Sequence, residues 1–599
     1  MLRIAACLAA LLVVAAQAAD PRKVVRCAYP SAESKLDPQA ESDEASGAIN
    51  DNIFDSLLEY DYLARPAKLK PRAASSLPEV SGDGRVFVLH VKPGIYFTPD
   101  PAFGGKKREL TAKDYVYSIE RLFDPALNSQ WRFLVEGKIK GAAKWVEDAR
   151  HGKPLDYDRP LEGLRALDRY TLRIELESTD FGFPYVLALP ATAAVAREVR
   201  ERYGLVDFAR HPVGTGPYIL KEWVPGSRLA LEANPGYRED YFESEGADDA
   251  YSKEILARLK GQRIPIVGRI EIYVIDEAQP RWLAFLNGEH DYIRPLPEEY
   301  ADIALPGGKL APNLAKRGVR VTPDEIAYVT YTTFNMQETI GGKVNPVGGY
   351  TPERIALRRA ISMAFRIDEE IAILDKHQST RAQTPLPPSV AGAEPRFVSP
   401  TLEYNPAKAK ALLDMFGFVD RDGDGYRENP DGSPLVLQHA SVPTVRERQR
   451  NELWKKSMDD IGIRVAFDKV AKMPELRGEA RVGKVESMSY GWIADYPDGE
   501  NFLQLFTHAT LGQANYSMFD LPEYDALYER ARRLPYGPER FALYDRMVKL
   551  ILVYVPWMVE TFKAQNILMQ PWLLNYKKHP FTHEPWRFVD IDLARAPGR

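Results

Sequence analysis

Cysteine is nearly absent: the 599 residues hold 2, Cys7 and Cys27. Cys7 falls in a segment that reads as a leader, so Cys27 stands alone and an internal disulfide framework is excluded. Stability must then come from core burial, which a chain of this length can supply. Long apolar runs are also missing. The longest, Ile4 to Ala16, falls short of the ~20 residues of a membrane span, and a multi-span membrane bundle is excluded. There is no excess of positive charge: Lys+Arg number 79 against Asp+Glu 84, a formal net charge of −5. A nucleic-acid binder needs a basic surface, and no Lys/Arg-dense run appears. Catalytic signatures are missing as well. The chain has neither a Gly-x-Ser-x-Gly elbow nor a His-Glu-x-x-His helix. Gly307-Gly308-Lys309 and Gly341-Gly342-Lys343 lack the upstream glycine spacing and the Ser/Thr of a phosphate loop. His579 and His583 are four apart, but Pro580 between them opposes a zinc-binding helix. A secreted hydrolase with a triad assembled in space stays open, without local support.

What is present is an ordinary globular composition, 45% hydrophobic and 27% charged. About 150 residues per domain would give three or four domains. Met1-Leu2-Arg3 provides a positive start, Ile4 to Ala16 an apolar stretch, and Ala16-Gln17-Ala18 the small-x-small pattern of a cleavage site. Residues 1–18 therefore read as a secretory signal peptide. Further on, strand and helix signals mix without strict alternation. Phe87, Leu89 and Val91 alternate, as do Leu172, Ile174 and Leu176, and Ile270, Ile272 and Val274. Thr111 and Asp114 form a capping pair ahead of Val116, Ile119 and Phe123. Thr351-Pro352, Asn405-Pro406 and Gly537-Pro538 each open a helix with Pro at its first position. The pattern implies α/β or α+β layers in more than one lobe.

Three segments carry chemistry or imitate it. Val213-Gly214-Thr215-Gly216-Pro217-Tyr218 lacks the third glycine and the following helix of a dinucleotide loop, and reads as a tight turn entering a strand. Asp420, Asp422, Asp424 and Asp431 match the spacing of a calcium loop, although Asp replaces the bidentate Glu and a turn follows instead of a helix. A solvated hairpin and a structural Ca²⁺ site both stay open there. Tyr490-Gly491-Trp492-Ile493-Ala494-Asp495-Tyr496-Pro497-Asp498 gathers aromatic rings around an acid. It reads as a strand entering a Pro-Asp turn, or as an apolar wall beside a carboxylate that neutralises a ligand cation.

Several segments, in order, resemble the extracellular solute-binding proteins that serve oligopeptide and dipeptide ABC importers. They are Leu36-Asp37-Pro38, Ile53-Phe54-Asp55-Ser56-Leu57-Leu58, Leu110-Thr111-Ala112-Lys113-Asp114-Tyr115, and Gly214-Thr215-Gly216-Pro217-Tyr218 with Asn234-Pro235-Gly236-Tyr237. Leu357-Arg358-Arg359-Ala360, Asn405-Pro406-Ala407-Lys408-Ala409 and Trp492-Ile493-Ala494-Asp495-Tyr496-Pro497-Asp498 follow.

The resemblance implies an α/β fold: a two-lobed periplasmic-binding-protein architecture of type II with an extra domain on the N-terminal lobe. Lobe I is expected to be discontinuous (19–68, 205–330 and 568–599), the extra domain to span 69–204, and lobe II 331–567. It also implies a monomer in the periplasm, with a peptide ligand, a membrane permease as partner and no required cofactor. Asp495 falls on the acid that pairs with the peptide's α-amino group, Trp492 on the wall beside it, with Tyr490, Gly491 and Tyr496 flanking them. Trp131 falls on an aromatic position facing the peptide from the other lobe, and Glu41 and Ser42 where edge-strand contacts are made. Ser489 departs from the pattern, because some oligopeptide binders carry an arginine there for the ligand's carboxylate. The stretches 241–264 and 341–350 are longer than usual. Relatives with nickel chelates, haem, opines or sugars keep a non-peptide solute open.

Overall fold

A computed structural model describes residues 19–41, 43–127 and 129–596; the expected signal peptide and Ser42 lie outside them. The first strand, Asp20–Tyr29, runs parallel to Val267–Val274, and Arg228–Ala233 and Tyr218–Val224 complete an antiparallel extension of this four-stranded sheet. Cys27 lies within it, a free and buried thiol. A second four-stranded antiparallel sheet is built from Glu79–Val80, Val86–His90, Thr171–Glu175 and Leu164–Ala166. Here Phe87, Leu89, Leu172 and Ile174 are fully buried, as strict alternation requires when one face meets the core. The helix Ala112–Glu120 covers that face, its first turn held by the Asp114 carboxylate accepting the Thr111 N–H at 2.7 Å. The two sheets share one continuous apolar core, which joins Val25 and Ile270 to Phe87, Ile119 and Leu172.

From residue 292 onward a mixed seven-stranded sheet forms. Its order runs Tyr292–Ile293, Trp557–Met569, Arg320–Phe334, Ser487–Ile493, Val436–Ala440 and Arg464–Ala466, with Ser379–Arg381 also paired to Trp557–Met569. The helix Pro352–Ala364 buries Leu357, Ile361 and Ala364, and Pro538–Tyr554 buries Tyr544, Met547 and Ile551, as their spacing predicts. Asn405 caps Pro406–Met415 by accepting the Lys408 N–H.

The long strands Arg320–Phe334 and Trp557–Met569 pair antiparallel and carry the chain between the lobes. Their register breaks between Glu325 and Val329. On one side of that break Ile567 and Met569 belong to the first core. On the other, Ala327, Val329 and Val559 belong to the helix-covered core of the second lobe.

Two buried ion-pair centres explain the sequence signatures. Arg121 donates to both oxygens of Asp37, at 2.9 and 2.5 Å, and ties the N-terminal segment to the end of the helix Ala112–Glu120. Asp55 accepts from Thr215 Oγ1 at 2.8 Å, Arg72 Nε at 2.7 Å and Arg238 at 2.7 Å. The glycines beside Thr215 are needed for close approach. Gly216 N–H reaches the Ile53 carbonyl at 2.8 Å, and a Cβ on Gly214 would lie 2.0 Å from that oxygen.

Candidate ligand-binding site between the lobes

The strand Ser487–Ile493 lies beside Arg320–Phe334, with Tyr490 opposite Tyr331, Gly491 opposite Thr330 and Trp492 opposite Val329. Alternation sends Tyr490 and Trp492 to the helical side, where both are half-buried against the second-lobe core. Ser489, Gly491 and Ile493 face the other way. The strand then ends in a turn, and two acids in that turn have different tasks.

Asp498 is structural. It is 1% exposed and accepts from Tyr536 Oη at 2.6 Å, Arg540 at 2.7 Å and Tyr544 Oη at 2.8 Å, which leaves it no capacity for a ligand. Asp495 is half-buried and has one hydrogen-bond partner among the described residues. Its Oδ2 accepts the Asn501 Nδ2–H at 2.9 Å, and its own N–H donates to Asn501 Oδ1 at 3.3 Å. The same Asn501 Oδ1 accepts the Trp492 indole N–H at 2.9 Å. One buried amide thus fixes the acid and the ring together. Burial raises the Asp495 carboxyl above its ordinary range; the Asn501 hydrogen bond and the charge of Lys138 from the first lobe oppose that shift.

A cavity of about 210 Å³ spans the two lobes beside this turn. Lys138, Asp180 and Gly182 line it from the first lobe, and Tyr496, Glu500 and Arg540 from the second. Lys138 pairs with Asp180 at 3.1 Å. Tyr496 lines the cavity, but its hydroxyl donates to Glu500 at 2.5 Å, which Tyr528 also engages. Beside this cavity Tyr185 of the first lobe meets Tyr536 of the second edge-on, 5.7 Å between centroids.

The other expected site residues divide. Trp131 sits in the short 3₁₀ turn Gln130–Leu134, half-buried beside the half-exposed Phe133 at 6.4 Å. Its indole N–H donates to the Glu41 carbonyl at 3.1 Å, and Gln130 donates to the same oxygen at 3.1 Å. Glu41 therefore does not offer a free strand edge. Its backbone acceptor is taken, its side chain is 2% exposed and engages Asn50, and burial pushes the carboxyl up to about 8. Gly491 is small for a reason the sequence does not show. The Tyr328 ring lies across it, and a Cβ there would meet that ring at 2.3 Å.

Ser489 belongs to a buried polar chain. Thr332 Oγ1 lies 3.2 Å from Ser489 Oγ, which lies 3.3 Å from His439 Nε2. Thr332 donates to Glu560 Oε1 at 2.7 Å, and Arg450 pairs with both Glu560 and Glu370. The one cation in this chain is thus shared by two carboxylates.

The acidic loop departs from the spacing expectation. Asp420, Asp422 and Asp424 gather with Glu428, whereas the Asp431 carboxylate turns to Ser433, accepting its N–H at 2.9 Å and its hydroxyl at 2.6 Å. Asp420 accepts the Gly423 and Gly425 N–H groups, at 2.7 and 3.0 Å. A larger cavity, about 760 Å³, lies elsewhere on the second lobe, lined among others by Asn345, His439, Val470 and Glu486. It contains none of the residues around Asp495.

The family model for bacterial extracellular solute-binding proteins, family 5, matches residues 68–513. The chain belongs to that family. Members of family 5 are transport binding proteins, which removes the hydrolase reading. The chain is 23% identical to "Heme-binding protein A" of Haemophilus influenzae over 553 residues, 91% of this chain and 88% of that one. It is 24% identical to "Di/tripeptide-binding protein 2" of Pseudomonas aeruginosa over 544 residues, 88% of each. The unliganded open form of the murein tripeptide-binding protein MppA superposes with a TM-score of 0.74 at 19% identity, covering 96% of this chain and 98% of that one. The fold is therefore the two-lobed one of family 5. Asn501, Lys138 and Tyr328 are the site residues that sequence reading misses. Only Asn501 leaves a sequence trace, as a polar residue just inside the helical turn after the signature.

Proposed function

We propose that this protein captures short peptides between its lobes in the periplasm, after removal of residues 1–18, and delivers them as a monomer to an ABC permease. The observation that supports this most is Asp495. Its carboxylate is half-buried beside Trp492, with one oxygen fixed by Asn501 and the other, Oδ1, free of any hydrogen-bond partner among the described residues. A peptide's α-ammonium group pairs with such an acid, and a buried charge pair of this kind is worth roughly 2–5 kcal/mol when one partner is removed. The remaining peptide backbone is held as an added strand, with its side chains in hydrated space, so many sequences are accepted. Ligand contacts made only with the lobes together shift the population toward the closed state, which the permease reads.

A second reading, a haem-like or chelated solute on the same scaffold, is favoured by Ser489. Arg450, the cation of its polar chain, is already shared by Glu560 and Glu370 among the described residues. Mass spectrometry of solutes released by denaturing protein purified from a cell envelope separates the two. A ladder of short peptides is expected; one non-peptide species would keep the fold and overturn the cargo.

A further inference from the structure

A second cavity, about 620 Å³, opens in the first lobe between the helix Ala112–Glu120 and the segments 157–166 and 197–201. None of the residues around Asp495 line it. Its volume falls in the range of about 300–1,000 Å³ typical of small-molecule sites. At its wall stands Glu120, 4% exposed. The Glu120 carboxyl makes no hydrogen bond or ion pair among the described residues, and burial pushes it up to about 8.

Of the cations that line the cavity, Arg108, Lys113, Arg159, Arg165 and Arg197, none pairs with this acid among the described residues. Arg197 also lines the cavity but is shared by Asp158 and Glu201, each at 2.7 Å. Arg108 is shared by Asp114 and Glu198, at 2.6 and 2.8 Å. Glu120 is also the last residue of its helix, where the macrodipole favours positive charge over negative. A buried ionised carboxylate without a partner is costly, so the free protein keeps this group protonated, and a positive group from outside would stabilise its ionised form. Beside it the rings of Tyr117 and Tyr157 meet at 4.9 Å, and Val116, Leu164 and Ala166 add an apolar wall. Aromatic faces attract an organic cation as well as its apolar body.

We infer that this cavity is a binding site, separate from the cleft between the lobes, for a small organic monocation with an apolar or aromatic body. The ammonium or amidinium group pairs with Glu120, and the body lies against Tyr117 and Tyr157. The test is calorimetric titration of the full chain with benzamidine and with benzamide, its neutral near-isostere. Benzamidine is expected to bind and benzamide to give no heat. Glu120→Gln should weaken benzamidine by at least about tenfold while melting no lower than the wild type, because the amide resembles the neutral form that burial prefers in the free protein. Equal binding of both probes, no benzamidine heat at millimolar concentration, or unchanged affinity in Glu120→Gln would each overturn the proposal. If Glu120→Gln fails to fold, the absence of a partner is itself refuted, and the contrast between the two probes still decides the ligand class.

Discussion

Asp495 is held between two opposing effects. Burial favours its neutral form, and the Asn501 amide favours the carboxylate. The raised pKa means that the free protein keeps this proton to higher pH than an exposed aspartate does. Affinity for an amine-bearing ligand should therefore fall as the pH drops below neutral, starting above the usual carboxylate range. Asp495→Asn should flatten that profile and weaken peptide binding by about 30-fold, the equivalent of some 2 kcal/mol. Its melting temperature should not fall, because the amide resembles the form that burial prefers. Titrations of both proteins across pH check this, and an unaltered profile in the variant would remove Asp495 from the site. Gly491 makes a second prediction at this scale. Gly491→Ala sets a methyl group 2.3 Å from the Tyr328 ring, and overpacking of that kind costs about 1–3 kcal/mol. Denaturant unfolding measures the loss.

Among the elements, the turn Gly214–Gly216 and the loop at Asp55, just past the helix Glu44–Ile53, act as one anchor. Burial alone would raise the Asp55 carboxyl, but Arg238 and Arg72 hold it well below the usual carboxylate range. A depressed pKa stabilises the fold above the unfolded value near ~3.9, and that contribution is lost as the pH falls through the folded value. Asp55→Ala leaves two buried guanidinium groups short of a partner and should cost roughly 3–5 kcal/mol, read from thermal or denaturant unfolding at neutral pH. A loss below about 1 kcal/mol would contradict the anchor, since that is the scale of an exposed pair. This anchor also marks the limit of what the sequence shows. Strands such as Val86–His90 and helices such as Pro352–Ala364 are legible, because their periodicity and caps are local. That Thr215 meets Asp55, that Tyr328 lies on Gly491, or that Glu428 takes the place expected of Asp431 depends on which distant segments or turns meet. No spacing rule encodes that. Glu41 illustrates the same limit, since its carbonyl is claimed by an indole ninety positions away.

For the whole molecule, two antiparallel strands cross from one hydrophobic core to the other, and their register breaks at the crossing. A discontinuous first lobe was implied by the family resemblance alone. The continuity of its core with the second four-stranded sheet was not, because composition does not reveal which apolar faces share an interior. A ligand that touches both lobes should draw them together about these strands. Small-angle scattering should show a smaller radius of gyration on adding a bound peptide, and no change would contradict closure. The central claim, a peptide amine captured by Asp495, is tested most directly by calorimetric titration of one tripeptide with a free N-terminus against its N-acetylated form. The account predicts binding of the free form and an affinity at least about 30-fold weaker after acetylation. Equal affinity for both forms, or no binding of either where an iron chelate or haem binds, would contradict it.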